Sequence, residues 1–334
     1  MEKKEVLRMF AYGRDLRNAI DKISKSGRGA LVVFVNNNKI KSICSGGFKI
    51  EEKFTQERLA ELAKLDGAIL LDEDFEEILN ANVLLIPDIN VSSSETGTRH
   101  QAAERVAKQF ETLVLAVSEK SKIATIYYKK NKLKLSSLNE LFTKTGDALK
   151  SLEKHEEIYR ELIKKFDVSE ILELVTLEDL VLIFQRKKII DLVAEILSVF
   201  LAELGKEGKL IELQLKETMN FVNKETDLMV KDYSNHFKFE NILEELERLQ
   251  YDDVINQETI YTIFLNNRKK EMPLVPRGFR ILRNIPLLTE ENINLVVSEF
   301  PSLQELMLSS EAELKAKGVA DKKAKAIKEY LLKF

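Results

Sequence analysis

Two short stretches carry the residue types that could do chemistry. Asp66-Gly67-Ala68, within "LAKLDGAILL", sets a carboxylate and a glycine between a helical pattern and an apolar run. As an Asp-Gly turn it needs no function beyond connecting the two. As a carboxylate at the edge of a sheet, Asp66 would bind a divalent cation or take a proton from a hydroxyl. The second stretch is "ETGTRHQAAERVAKQF", Glu95 to Phe110, where Arg99 and His100 follow Gly97-Thr98 at the mouth of a helix. Thr98 with Gln101 three residues later matches a capping box and predicts Thr98 as the helix N-cap. The same helix end collects free N–H groups and the positive end of the dipole. Arg99 adds a fork of donors, His100 an imidazole, and Gly97 a backbone that an anion can approach closely. A capped helix start and a phosphate site are both compatible with these residues.

Composition limits the alternatives. The 334 residues allow two or three domains, and 44% hydrophobic with 32% charged residues describes a soluble globular protein. Lys+Arg 52 against Asp+Glu 55 gives a net charge of -3, so a nucleic-acid partner must be met by a local patch. The single cysteine, Cys44, excludes an intramolecular disulfide and a multi-cysteine zinc site, and fits a reducing cytoplasm. Neither a signal peptide nor a membrane-spanning run is expected. "GRGALVVFV" (27–35) lacks both the dinucleotide and the P-loop glycine patterns, and no H-E-x-x-H or G-x-S-x-G is present. His155 and His236 are expected to be solvated on charged helices.

Elements that position the two stretches can be read from glycine, proline and periodicity. Seven of the twelve glycines lie within the first 97 residues, and four of the five prolines lie after 272. Up to residue 137, the apolar runs 30–35, 68–71, 82–87, 112–117 and 123–128 have strand length, with helical patterns at 55–65 and 101–110 between them. This alternation predicts an α/β or α+β domain, here read as α/β, with a mixed sheet flanked by helices. Residues 138–272 show long helical periodicity, broken by "GKEG" (205–208), and predict an all-α spine. Residues 273–334 read as short helices. Seven lysines (315, 317, 322, 323, 325, 328, 333) stand against Asp321 and Glu329 around Gly318 in a helix, hairpin, helix pattern. They form either a solvated helix face or a hairpin that grips nucleic-acid phosphates without reading bases.

"LDGAIL" (65–70), "GTRH" (97–100) and "AERVAKQ" (103–109) together resemble the diadenylate cyclase domain of the DNA-integrity scanning protein family. "PRGFRIL" near the start of the third region, "AKAIKEYL" near its end, and the order of regions are similar to that family as well. The resemblance covers essentially the whole chain. It implies a cyclase domain over 1–137, a helical spine over 138–272 and a helix-hairpin-helix DNA-binding domain over 273–334. It further implies a nucleotidyltransferase that condenses two ATP molecules into cyclic di-AMP and two pyrophosphates, with Mg2+ or Mn2+, in the cytoplasm and away from membranes. Facing sites in a homo-octamer would each hold one ATP. Asp66 would bind the metal and help deprotonate the ribose 3′-hydroxyl, and Gly67 and Ala68 would let the nucleotide lie against the backbone. Gly97, Thr98, Arg99, His100 and Gln101 would surround the phosphates, Arg99 and His100 stabilising the charge that develops. Leu85 would lie near the adenine and Ser118 would contact the nucleotide. Lys317, Gly318, Lys322, Lys323 and Lys325 would hold branched or damaged DNA without sequence preference.

Three positions depart from the family pattern: Gln101 replaces a second arginine, Glu119-Lys120-Ser121 replaces an arginine-rich run, and Gly318-Val319-Ala320 replaces a Gly-x-Gly hairpin. These departures keep two other functions in view. One is a nucleotide- and DNA-binding scaffold with weakened catalysis. The other is a helix-hairpin-helix repair accessory protein.

Overall fold

The computed structural model of the chain describes residues 2–35, 38–265 and 273–332. Two compact units are present, Met1–Thr145 with Ser198–Leu210, and Gly146–Leu197 with Ile211–Phe334. The domain boundary expected at residue 272 lies outside the described residues, as does Lys333.

In the first unit the chain runs through α1 (Lys3–Met9), α2 (Asp15–Lys25), β1 (Ala30–Val35), β2 (Cys44–Ser45), β3 (Phe48–Lys53), α3 (Gln56–Leu62), β4 (Ala68–Asp72), β5 (Glu77–Leu85), α4 (Thr98–Phe110), β6 (Leu113–Val117), β7 (Ala124–Tyr128) and β8 (Asn131–Lys134). The strands form one mixed sheet in the order β2-β5-β4-β1-β6-β7-β8, with β3 also paired to β5. β1 and β4 are parallel, and the other pairs are antiparallel.

Side chains alternate across a strand, so the apolar run of β1 serves both faces of the sheet. Val32 and Phe34 point into a core with Leu16, Ala19 and Ile20 of α2 and Leu59 of α3. Leu31 and Val33 point the other way, into a core with Ala103, Val106 and Ala107 of α4. Helix α4 therefore lies on one face by its small apolar stripe, and that stripe aims its N-terminus.

Register brings the functional stretches together. Ala30 at the start of β1 lies opposite Val117 at the end of β6. Ala68 at the start of β4 lies opposite Val83 near the end of β5. Since β1 and β4 run parallel, Gly29, Asp66-Gly67, Leu85 and Ser118 all fall at one end of the sheet.

The second unit is helical. The long helices are α5 (Leu138–Ile171), α6 (Leu177–Leu204) and α7 (Lys209–Tyr233), of which residues 138–145 and 198–210 belong to the first unit, including "GKEG", a single tight turn between α6 and α7 with Gly205 at φ +55. Shorter helices follow: α8 (Phe239–Arg248), α9 (Tyr251–Ile255), α10 (Gln257–Leu265), α11 (Phe279–Arg283), α12 (Glu290–Glu299), α13 (Leu303–Leu308), α14 (Glu311–Ala316) and α15 (Asp321–Leu331). Helices α11 to α15 share an apolar core that includes Leu282, Val296, Leu303, Leu314 and Ile327.

Candidate active site

Asp66 is exposed and has no hydrogen-bond or ion-pair partner among the described residues. The turn that presents it depends on Gly67, whose φ is +87 and whose missing Cβ would stand 2.8 Å from the Val83 carbonyl oxygen. A side chain there would meet both left-handed strain and the backbone of β5. Gly67 is thus required by the sheet itself. Ala68 is buried as the first residue of β4. Leu85 is half-buried at the end of β5, paired with Cys44. Ser118 follows β6, and its Oγ accepts the Ser121 amide at 3.1 Å, closing the turn into β7.

At the start of α4 the structure corrects one expectation. The N-cap is Gly97, with extended backbone (φ -88, ψ 136), and among the described residues no side chain caps the helix. Thr98 is the first helical residue instead. Gln101 does not reach back to an N-cap; its Nε2 donates to the Glu95 carbonyl at 2.8 Å. An Ncap residue without a side-chain oxygen leaves the orphan donors of the first turn free. The amides of Thr98, Arg99 and His100 have no partner among the described residues, whereas the Gln101 amide closes the first helical bond on Gly97 at 2.8 Å. Three open N–H groups at the positive end of a helix bind anions.

Arg99 is held by an absence. A Cβ on Gly29 would stand 2.0 Å from Nη1 and 2.7 Å from Cζ of Arg99, so the guanidinium occupies the space a larger residue would fill. Among the described residues that guanidinium has no acceptor, and its donors are available.

His100 is the best-anchored member of the group. Its Nδ1 lies 2.9 Å from the Tyr127 hydroxyl, which donates to Glu95 Oε1 at 2.9 Å. Lys132 is ion-paired with the same carboxylate. Burial pushes Glu95 up, but the bonds from Lys132 and Tyr127 prevail and hold its carboxyl below the usual range. Burial also lowers His100, against the pull of Glu95, so the imidazole is less readily charged than a free histidine.

The loop from 88 to 97 is stapled to the polar face of α4. Arg105 Nε donates to Val91 O at 3.0 Å and Lys108 Nζ to Ser92 O at 2.9 Å. Glu104 accepts the Ser93 hydroxyl at 2.6 Å and the Ser94 amide at 2.9 Å. Gln109 accepts the Asp88 amide at 3.1 Å. With Gln101 on Glu95, the polar residues of "AERVAKQ" act on the loop that delivers Gly97 to Arg99.

Sequence reasoning missed Gly29, Glu95, Tyr127 and Lys132. Tyr127 carried a usable signal, because a tyrosine on the buried face of a strand needs a partner for its hydroxyl. Among the described residues no cluster of three His, Cys, Asp or Glu could hold a metal ion. One free carboxylate, Asp66, fits a hard divalent ion that takes its other ligands from substrate phosphates and water. His155 is half-buried rather than solvated, its Nδ1 2.7 Å from Arg186 Nη1, and His236 lies in the turn after α7 against the Val275 backbone.

In the hairpin between α14 and α15, Gly318 takes φ +90. Most of the surrounding lysines are occupied. Lys317 bonds the Glu299 carbonyl and lies 4.4 Å from the centre of the Phe300 ring. Lys323 bonds Asn292, Lys325 sits 3.7 Å from Glu329, and Lys328 caps the carbonyls of Leu306 and Met307. Lys322 has no partner among the described residues. No described helix is long and apolar enough to cross a membrane.

Comparison with known proteins agrees with this architecture. The family model described as the nucleotide-binding part of the DisA bacterial checkpoint controller matches residues 17–132, and the model of its linker region matches 135–272. The chain is 37% identical to the DNA integrity scanning protein DisA of Acetivibrio thermocellus, over 97% of this chain and 91% of that one. It is 34% identical to the protein of the same name from Bacillus subtilis, over 99% and 93%. With a carboxylate turn and an uncapped Arg-His helix start inside the matched nucleotide-binding region, and with relatives this similar over more than nine-tenths of their length, the chain belongs to the DNA-integrity scanning protein family.

Proposed function

We propose that the chain is a diadenylate cyclase that condenses two ATP molecules into cyclic di-AMP. The observation that carries this reading is the placement, at one end of one sheet, of a free carboxylate and three open helix amides flanked by a free guanidinium. In each half-reaction the ribose 3′-oxygen of one ATP bonds to the α-phosphorus of the other. The bond from that phosphorus to the bridging oxygen breaks, and pyrophosphate leaves with the electron pair. Asp66 accepts the hydroxyl proton and holds a divalent ion, Mg2+ or Mn2+, which when bound offsets charge on the triphosphate. The amides of Thr98, Arg99 and His100 and the Arg99 guanidinium hold the phosphates and the charge that develops on them. Gly67 and Ala68 give the nucleotide a flat backbone, and Leu85 and Ser118 border the base and sugar. Gln101 serves the site through the loop it holds.

Asp66, Gly67, Gly97 and Thr98 are all exposed, so the site opens to the surface and a second copy brings the second ATP. Leu84, Ile86 and Ile89, on and just beyond β5, are 61%, 60% and 77% exposed beside the site and suit such a contact in a homo-octamer. In the same reading residues 1–137 are the cyclase domain, 138–272 the spine and 273–334 the DNA-binding domain, acting in the cytoplasm. The hairpin of Gly318 with Lys317, Lys322, Lys323 and Lys325 approaches phosphates of branched or damaged DNA, Lys322 being the readiest donor.

Purified protein given ATP with Mn2+ or Mg2+ is expected to yield cyclic di-AMP by mass spectrometry, and Asp66→Asn to yield none. Undiminished product from Asp66→Asn would sink the assignment of Asp66. ATP bound without product under either metal would favour the scaffold instead.

A further inference from the structure

Glu95, Tyr127 and His100 form a chain of hydrogen bonds whose directions are fixed by chemistry. An ionised carboxylate only accepts, so the Tyr127 hydroxyl must spend its one proton on Glu95. What faces His100 Nδ1 is then a lone pair of that hydroxyl, at 2.9 Å, and Nδ1 must be the protonated nitrogen. The opposite edge of the ring, with Cδ2 next to Nε2, turns toward Gly97, where an added Cβ would lie 3.9 Å from Cδ2.

We propose that Glu95 and Tyr127 are positioning residues that lock neutral His100 as the Nδ1–H tautomer, presenting Nε2 to the nucleotide as an acceptor for a ribose hydroxyl rather than a donor to phosphate. Its part in catalysis rests on the cyclase reading above. An acceptor at Nε2 repels a phosphate oxygen and welcomes an O–H group, so phosphate binding falls to Arg99 and the open amides. Only doubly protonated His100 can donate at Nε2. The groups that bias that protonation are Glu95, which favours it, and Lys132 and Arg99, which oppose it, with the Tyr127 hydroxyl against the ring. Burial of the imidazole works in the same direction as the two cations.

The test uses the full chain labelled with 15N-histidine and magic-angle-spinning spectra at pH 8, which report which ring nitrogen is protonated. Three histidines are present, and a His100→Gln sample assigns the signals. His155 is an internal contrast, because its Nδ1 accepts from Arg186 and its proton must sit on Nε2. His100 is expected with Nδ1 protonated and Nε2 bare, and Tyr127→Phe is expected to move the proton toward Nε2. In ATP turnover Tyr127→Phe should lower kcat on the order of tenfold or more, as loss of an orienting outer partner does, with KM changed less than about twofold. Glu95→Gln can still accept from Tyr127 and should keep the tautomer and most of the activity, while Glu95→Ala should behave like Tyr127→Phe. A neutral His100 protonated on Nε2 in the unaltered protein would overturn the lock. An unchanged kcat in Tyr127→Phe despite a shifted tautomer would overturn its positioning role. Absence of cyclic di-AMP from every form would overturn the cyclase reading and the positioning role with it, and the tautomer result would still decide the lock.

Discussion

At the scale of single residues, Arg99 depends on a glycine far away in sequence. Gly29 keeps an ordinary backbone conformation, so alanine is allowed there by φ and ψ, yet its Cβ would fall 2.0 Å from Arg99 Nη1. A flexible side chain can move aside at small cost to folding, but in the proposed site the guanidinium would then leave the phosphates. Gly29→Ala is therefore expected to shift the midpoint of denaturation by no more than about 1 kcal/mol, while cyclase turnover drops on the order of a hundredfold, as for loss of one transition-state donor. An equal loss of stability and activity would instead assign Gly29 to the core. Asp66, Arg99 and His100 were legible as candidates because their types declare the chemistry they could do. Gly29 and Tyr127 were not, because each matters through a neighbour that only the tertiary fold supplies.

Helix α4 and the loop before it form the unit that carries the site. Glu104 shows how tightly they are joined. Burial raises its carboxyl, but bonds from Lys108, Ser93 and the Ser94 amide outweigh burial and hold it down at about 2. A carboxyl depressed in the folded state stabilises above its ordinary value, and loses that contribution as pH falls through the folded value. The stability gap between the unaltered protein and Glu104→Gln is thus expected to be about 1–3 kcal/mol at pH 6 and to close as pH falls from the normal carboxylate range toward 2. Denaturant midpoints measured across that range check it, and a gap that stays constant would mean the bonds do not require the charge. The apolar stripe of α4 and the central strands were legible as periodic apolar runs. Strands β3 and β8 escaped notice because "FKIEEK" and "NKLK" are mostly exposed edge strands with no buried face to impose alternation. The capping box was misread because Thr98 and Gln101 have the right types and spacing. Only the backbone of Gly97 decides which residue begins the helix.

On the scale of the whole molecule, "PRGFRIL" marks a buried ionic joint in the helical unit. Arg280, 3% exposed, places Nη1 2.8 Å from Glu170 and Nη2 2.6 Å from Asp167, with Glu225 3.5 Å from Nε. Asp232, fully buried, accepts the amides of Gly278, Phe279 and Arg280 and so caps α11, and Tyr233 donates to Glu170 at 2.8 Å. Burial pushes the Glu170 and Asp232 carboxyls up, while the Arg280 guanidinium, with the Tyr233 hydroxyl at Glu170 and the α11 amides at Asp232, favours their charged forms. Removing one member of such a joint strands the others. Arg280→Ala is expected to cost about 3–5 kcal/mol, read as a lower midpoint of the helical signal in far-ultraviolet circular dichroism. Arg280→Lys should recover little, since an ammonium cannot meet three carboxylates in a plane. Adding Glu170→Gln to Arg280→Ala should restore part of the loss, because the second change removes a charge that the first left without its partner. None of these side chains belongs to the unit that holds Asp66 and Arg99, so ATP binding by Arg280→Ala at low temperature should match that of the unaltered protein. Loss of ATP binding in parallel with the helical signal would show instead that the two units unfold as one, and that the joint supports the active site as well as the spine.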